Sequence, residues 1–134
     1  DFKLTTGTWV SVGPLRARVN AAGAPFIQDV VITGHDRDEV GALVFPNLAA
    51  CSGLDTAARR ACFQGIFDRL ARASAGSSSR IARVLVLETP PSIDAGEITD
   101  KGSINQRAVL AVRAVLVEAL HAEPPDSRVI RSTS

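Results

Sequence analysis

Short runs of β-branched and bulky apolar residues, each followed directly or within three residues by glycine or proline, predict a set of strands. The runs cover residues 8–12, 27–33, 40–45 and 81–87. The second and third runs are separated only by the polar segment 34–39, so they predict an antiparallel hairpin. The first run ends at Gly13-Pro14, which predicts a strand that stops in a turn.

Apolar residues spaced three and four apart predict three helices among these strands. The first begins at Pro14, a residue suited to the first helical position, and ends at Gly23. The second is capped by Ser52 or Asp55, and the third covers residues 105–121. The expected buried faces are Leu15, Val19 and Ala22, then Cys62, Phe63, Ile66, Phe67 and Leu70, then Val109, Val112, Leu116 and Leu120. The pattern predicts an α/β (α+β) fold, with one small mixed sheet that contains an antiparallel hairpin and has helices packed on it.

Length and charge exclude several classes of function. A chain of 134 residues is one domain by size, and a net charge of +1 gives no electrostatic basis for binding nucleic acid or an anionic membrane. No apolar run is long enough to span a bilayer, and the cysteines and histidines lack metal-ligand spacing, so we expect no metal site.

Cys51 and Cys62 suit a reducing cytosol. The chain opens on Asp1 and contains no methionine, so we expect a piece cut from a longer protein.

Lysine occurs at only two positions, Lys3 and Lys101, while arginine fills the other basic positions. Lys101 lies in the loop 92–103, directly ahead of the third predicted helix. An ammonium on a flexible stem is a compact charge that the planar guanidinium of arginine does not reproduce. From the residues alone, Lys101 is either a solvated loop lysine or a cation retained for function.

Three segments carry a resemblance to a known family. They read DFKLTTGTWVSVGPLR, QDVVITGHDRDEVGALVFP and ETPPSIDAGEITDKGSINQRAVL. In one order and register over residues 1–122, the chain resembles the C-terminal domain of acyl-adenylate-forming enzymes (the acyl-CoA synthetase superfamily). Within that superfamily it looks most like the feruloyl-CoA synthase branch.

The resemblance implies a single mobile C-terminal domain, 1–134, with a hinge-proximal hairpin at 1–13 and a tail at 123–134. Its partner would be an N-terminal ATP-binding domain of the same chain, in a cytoplasmic ATP-dependent acyl-CoA ligase. That enzyme would use ATP, Mg²⁺ and coenzyme A to convert a hydroxycinnamic acid such as ferulate to its acyl-adenylate and then its CoA thioester. We expect the fragment alone to be inactive, because it has no phosphate-binding glycine loop. The alternative from another class is a non-catalytic α/β binding or assembly module.

The resemblance also implies a catalytic lysine in the late loop, which would stabilise negative charge during adenylation. The commonest family motif has glycine, then the lysine, then an aliphatic residue, and here the matching triplet is Gly102-Ser103-Ile104. Ser103 therefore occupies the lysine's place, and Lys101 lies two positions earlier. Either Lys101 reaches the site from a shifted loop, or this branch works without that ammonium. We take Lys101 as the catalytic candidate and Gly102 as the residue that lets the loop fold against a ligand.

The turn Thr5-Thr6-Gly7 is the second candidate site. The resemblance implies that its backbone lines the tunnel for the pantetheine arm of coenzyme A, where Gly7 permits close approach. From the residues alone, an ordinary hairpin turn is the preferred interpretation.

Four residues outside these turns carry further expectations. Val129 and Ile130 are the only apolar pair in the polar tail, so we expect them to be tied down by this domain or by a neighbouring chain. His121 lies at a helix C-terminus, where the helix dipole favours an imidazolium. Trp9, if exposed, would mark a face that docks on another domain.

Overall fold

The computed structural model describes residues 1–133 and contains a mixed sheet and a separate hairpin. The strands are β1 (Phe2–Lys3), β2 (Trp9–Val10), β3 (Ile27–Thr33), β4 (Val40–Pro46), β5 (Ile81–Val86) and β6 (Ile130–Arg131). β1 and β2 pair as the hairpin, and the sheet order is β3-β4-β5-β6. β4 is antiparallel to β3 and parallel to β5, and β6 is antiparallel to β5. The predicted β3–β4 hairpin is confirmed.

Helices cover both faces of this sheet. They are α1 (Val12–Gly23), α2 (Leu48–Cys51), α3 (Thr56–Ala73), α4 (Gln106–Val112) and α5 (Ala114–His121). Of the two cap candidates for α3, Asp55 is the N-cap, since its carboxylate accepts a hydrogen bond from the Ala58 N–H at 2.8 Å. None of the helices among the described residues combines the length and apolar character needed to cross a membrane. The mixed α/β fold predicted from the hydrophobic pattern is confirmed.

Two apolar cores lie on opposite faces of the sheet, because successive strand residues point to opposite sides. Val30 and Val44 pack on one side with apolar residues of α1 and α3. Val31 and Leu43 pack on the other side with residues of α4 and α5. The predicted face of α3 lies in the first core, with Phe63, Ile66 and Phe67 buried and Cys62 and Leu70 half-buried.

The N-terminal strand and helix meet earlier in the chain than predicted. β2 is only Trp9–Val10, and α1 begins at Val12 after the N-cap Ser11, so the expected turn at Gly13-Pro14 is wrong. Pro14 fits within the first helical turn because the N–H groups there have no intrahelical acceptor to lose. Gly23 ends the helix as predicted and replaces the exposed Ala22 on the buried face. A Cβ on Gly23 would lie 2.3 Å from the Ile27 side chain, which explains a glycine there.

The helix predicted over 105–121 is interrupted at Arg113, which has φ −107° and ψ 31° and separates α4 from α5. Arg113 lies four residues after Val109 and takes the inward position, so both are buried. Val112 therefore turns outward and is 52% exposed, so its assignment to the buried face was wrong.

The tail is anchored by this domain itself. Val129 and Ile130 are buried, and Ile130 belongs to β6, which pairs with β5. From α3, Arg60 donates to the carbonyl oxygen of Val129 at 3.0 Å, and Gln64 donates to that of Arg131 at 2.7 Å. The predicted anchoring of Val129 and Ile130 is confirmed, with the domain's own surface as the anchor.

Candidate functional site

Lys101 lies at the tip of a small hairpin that leads into α4. Ile98 and Ile104 form an antiparallel bridge at its base, and the Thr99 N–H donates to the Ser103 carbonyl oxygen at 2.8 Å. The Gly102 N–H donates back to the Thr99 carbonyl oxygen at 2.9 Å, and Gly102 has φ +83°, a conformation that glycine adopts without strain. The side chain of Lys101 is exposed, and within residues 1–133 it has no hydrogen-bond or ion-pair partner. The hairpin thus presents an ammonium on a firmly closed turn.

Ser103, which occupies the family lysine's place in strict register, lies on the returning side of the same hairpin. Its hydroxyl and the Thr99 hydroxyl are 2.9 Å apart, and its N–H donates to the Thr99 Oγ1 at 3.3 Å. This serine therefore closes the turn. The basic residue of the turn is Lys101, which is exposed next to the exposed Asp100.

A buried ion pair that the sequence analysis missed lies at the foot of this hairpin. Glu97, 1% exposed, accepts two hydrogen bonds from Arg113, at 2.8 Å and 2.9 Å. Arg113 also donates to the carbonyl oxygens of Thr89, at 2.8 Å, and Pro90, at 3.0 Å. The bonds from Arg113 lower the pKa of the Glu97 carboxyl, against the opposing effect of its burial. An arginine on the inward stripe of a predicted helix was the signal that could have indicated this pair.

Gln106 fixes the start of α4, directly after the hairpin. Its side-chain amide accepts from the Ile32 N–H at 3.0 Å and donates to the Ile32 carbonyl oxygen at 2.6 Å. β3 is an edge strand, so this amide pairs a backbone position that has no neighbouring strand.

The second predicted site, the Thr5–Gly7 turn, closes the β1–β2 hairpin. The Gly7 N–H donates to the Leu4 carbonyl oxygen at 2.9 Å, and Gly7 has φ +84°. A Cβ placed on Gly7 would meet no atom within 4 Å, so the backbone here faces open space. Thr6 is exposed at the tip, and its hydroxyl lies 3.0 Å from that of Thr8. An open backbone of this kind is what close approach by an extended ligand requires.

The Thr5–Gly7 turn is held by the polar segment between β3 and β4. The Thr5 N–H donates to the Arg37 carbonyl oxygen at 2.9 Å, and the Thr5 hydroxyl donates to Asp38 at 2.6 Å. The Lys101 hairpin, by contrast, rests on Glu97 and Arg113. The structure therefore holds the two predicted turns with different parts of the fold, and no hydrogen bond among residues 1–133 joins them.

Trp9 is 61% exposed, beside the Thr5–Gly7 hairpin. The Lys3 ammonium lies 5.0 Å from the centroid of its ring, a cation–π arrangement. Both lysines are exposed, but Lys3 is engaged with an aromatic ring, whereas the Lys101 side chain has no hydrogen-bond or ion-pair partner among the described residues.

His121 does not carry the charge that its place at a helix end suggested. Its Nε2 lies 2.7 Å from the Thr33 hydroxyl, and burial, followed by the nearby Arg37 and Arg83, lowers its pKa to about 4. The desolvation of the ring outweighs the helix dipole, so the expected imidazolium was wrong.

We predict a pH dependence of stability from His121. Its folded-state pKa of about 4 lies below the unfolded value of 6.5, so the unfolded chain binds more protons between those values. The free energy of unfolding should therefore fall as the pH drops through this window. The loss from His121 should be about 2 kcal/mol, since partial exposure of the ring screens part of the effect.

Denaturant unfolding of the domain at about pH 7 and about pH 4 would measure that loss. His121→Gln keeps a hydrogen-bonding group beside Thr33 without the titration, so its loss on acidification should be smaller. The same loss in both proteins would contradict the prediction.

Comparisons with known proteins identify the family of this chain and its fold. The family model described as the AMP-binding enzyme C-terminal domain matches residues 2–124. The chain belongs to this family, which makes it a C-terminal domain of the adenylate-forming class.

This chain spans a fifth or less of the length of the relatives that it matches. A chloroplastic long-chain-fatty-acid–[acyl-carrier-protein] ligase of Arabidopsis thaliana is 27% identical over 109 residues, which are 81% of this chain and 15% of that protein. An A-PCP didomain of carboxylic acid reductase from Segniliparus rugosus, in complex with AMP, shares the fold with a TM-score of 0.74 at 23% identity. That match covers 91% of this chain and 17% of the other. The A domain of the same reductase, with AMP and a co-purified carboxylic acid, also gives 0.74 at 23% identity and covers 92% and 20% of the two chains.

Proposed function

We propose that this chain is the C-terminal domain of an ATP-dependent acyl-CoA ligase of the feruloyl-CoA synthase type. The observation that carries the proposal is the exposed Lys101 on its closed hairpin, in a domain of the adenylate-forming family. The aromatic substrate is proposed from the resemblance of the segment around this hairpin to the feruloyl-CoA synthase branch. The acyl pocket itself would lie in the N-terminal domain.

Lys101 is proposed to act in the first half-reaction. Coupling of a carboxylate to the α-phosphate of ATP, with loss of pyrophosphate, crowds negative charge at the reacting centre, and Mg²⁺ would share in balancing it. A positioned ammonium lowers the barrier by stabilising that charge. The exposure of Lys101 and the tight closure of its turn by Gly102 suit this role, since the ammonium is accessible and the backbone that carries it is fixed.

The Thr5–Gly7 turn is proposed to act in the second half-reaction. Its open backbone at Gly7 leaves room for an extended pantetheine arm, and the neighbouring Thr5 and Thr6 are exposed. Thr5 is already held by Asp38, so the turn can bind without first becoming ordered.

Because different parts of the domain hold the two turns, the domain would present them in succession by rotating against its N-terminal partner. Such a rotation is a hinge motion about a few residues. The exposed Trp9 lies beside the Thr5–Gly7 turn and suits a docking face for the orientation that forms the thioester. We place the enzyme in the cytoplasm, where the free Cys51 and Cys62 suit reducing conditions.

ATP–pyrophosphate exchange tests this division between the domains. The 134-residue chain alone should give no exchange above a no-enzyme control, because it contains no phosphate-binding glycine loop. The full-length protein should give acid-dependent exchange. Exchange by the fragment alone would contradict the proposed division, and a full-length protein without exchange would favour the non-catalytic binding module.

The thiol acceptor is the point at which a relative suggests a second candidate. The Arabidopsis thaliana relative is an acyl-carrier-protein ligase, so a carrier-protein thiol is a possible acceptor in place of coenzyme A. A side-by-side assay with coenzyme A and a phosphopantetheinylated carrier protein separates the two. We expect faster thioester formation with coenzyme A, and preferential loading of the carrier protein would favour the second candidate.

A further inference from the structure

We propose that Glu97 and Arg113 are positioning residues that orient the Lys101 hairpin for adenylate formation. This role rests on the proposed function, since it acts through the Lys101 ammonium. The observation behind it is a buried ion pair at the foot of the hairpin that carries the exposed Lys101, whose side chain has no hydrogen-bond or ion-pair partner among the described residues.

Glu97 holds both ends of the segment that carries Lys101. Its carboxylate accepts a hydrogen bond from the Ser92 N–H at 2.9 Å, at the start of the loop that follows β5. Its carbonyl oxygen accepts from the Asn105 N–H at 2.9 Å, where the hairpin returns to α4. The hairpin between 98 and 104 is therefore closed at its foot by one residue.

Arg113 connects Glu97 to the rest of the domain. Its guanidinium spans from the Glu97 carboxylate to the carbonyl oxygens of Thr89 and Pro90, and it lies 5.0 Å from the centroid of the Phe45 ring in the core. The fork of an arginine can make these bonds at once, whereas a lysine cannot. The same arginine marks the interruption between α4 and α5, so the helices and the hairpin share one anchor.

Stability alone does not account for this pair. Apolar residues of similar volume often replace a buried ion pair without loss of stability, so such a pair is weak evidence for stabilisation. What an apolar pair would not supply is the directional bonding of the Glu97 carboxylate, which joins Arg113 to the Ser92 N–H at the start of the loop. Because Lys101 makes no other bond among residues 1–133, its direction is set by the hairpin that Glu97 closes.

The test uses the full-length enzyme and measures two rates: adenylate formation, and thioester formation from a preformed adenylate. Glu97→Gln should slow adenylate formation about 10- to 100-fold, the scale of a small misplacement of a catalytic group, and leave thioester formation within about twofold of wild type. Arg113→Lys should give the same division. The matched control is Asp29→Asn, which removes the partly buried Arg16–Asp29 pair elsewhere in the domain and should leave the ratio of the two rates unchanged.

A double substitution tests whether Glu97 acts through Lys101. If it does, Glu97→Gln combined with Lys101→Ala should be no slower than Lys101→Ala alone, because the positioned group is already gone. Full additivity, a wild-type rate for Glu97→Gln, or equal slowing of both half-reactions would each overturn the positioning role. If Lys101→Ala itself adenylates at the wild-type rate, the lysine assignment of the proposed function fails as well, which is a distinct result.

Hydrogen exchange gives a readout independent of activity. In the full-length protein, amides of 98–104 should exchange faster in Glu97→Gln and Arg113→Lys than in wild type or Asp29→Asn, while those of the sheet stay protected. Unchanged exchange in 98–104 would overturn the positioning role, even in a protein that forms no adenylate.

Discussion

Replacing Lys101 with alanine in the proposed full-length enzyme is expected to slow adenylate formation by about 10²-fold or more. That is the scale of removing one preorganised group that stabilises charge in a transition state. The structure gives a physical basis for an effect of this size, since the hairpin is closed by Gly102 and Ser103 and rests on buried Glu97. An ammonium carried by a fixed backbone needs little reorganisation during the reaction.

The half-reaction split makes this prediction specific. Attack of coenzyme A on a preformed adenylate should change far less in Lys101→Ala, because the domain would then present its other turn. Ser103→Ala is the matched control within the same hairpin, and it should be mild in both half-reactions, since it removes only the hydroxyl contact with Thr99 and keeps the backbone bond from the Thr99 N–H to the residue 103 carbonyl oxygen. Equal adenylation rates for wild type and Lys101→Ala would mean that this branch works without the ammonium.

Gly7→Leu is expected to give the opposite division, with thioester formation strongly reduced and adenylate formation spared. Gly7 has φ +84°, and a Cβ there would project into open space, so a leucine side chain would fill the path proposed for the pantetheine arm. The adenylation hairpin rests on other residues and should keep its geometry.

Backbone strain must be separated from bulk in this experiment. Gly7→Ala brings the same cost of a left-handed conformation, about 1 kcal/mol, but adds only a methyl group. We expect Gly7→Ala to retain much more thioester formation than Gly7→Leu. A Gly7→Leu enzyme with normal thioester formation would refute the role of this turn.

The strands of the sheet centre were predictable because their signal is local. The runs at 27–33 and 40–45 match β3 and β4 closely, since residues 30–33 of β3 and all of β4 are buried and both segments read as largely apolar. β6 was not predictable as a strand, because two residues carry too short a pattern and its pairing partner is β5, far away in the chain. From the sequence, only the anchoring of Val129 and Ile130 could be predicted.

The candidate sites also contain features that the sequence predicts and features that it does not. Gly7 and Gly102 mark their turns in the sequence, and both adopt the positive φ that favours glycine. The helical pattern places Arg113 on the inward stripe, but it does not indicate the partner, Glu97, which lies 16 residues earlier in a loop. The break between α4 and α5 was missed because the tertiary hydrogen bonds of Arg113, rather than the local helical pattern, determine the conformation of this residue.

The central claim is that this domain serves an enzyme that converts a hydroxycinnamic acid to its CoA thioester at the expense of ATP. The most direct measurement supplies the full-length protein with ATP, Mg²⁺, coenzyme A and ferulate, and quantifies nucleotide and thioester products together. We predict AMP and feruloyl-CoA in equal amounts, with pyrophosphate released. Absence of ferulate-dependent AMP formation, in a protein that forms AMP with a long-chain fatty acid, would contradict the account.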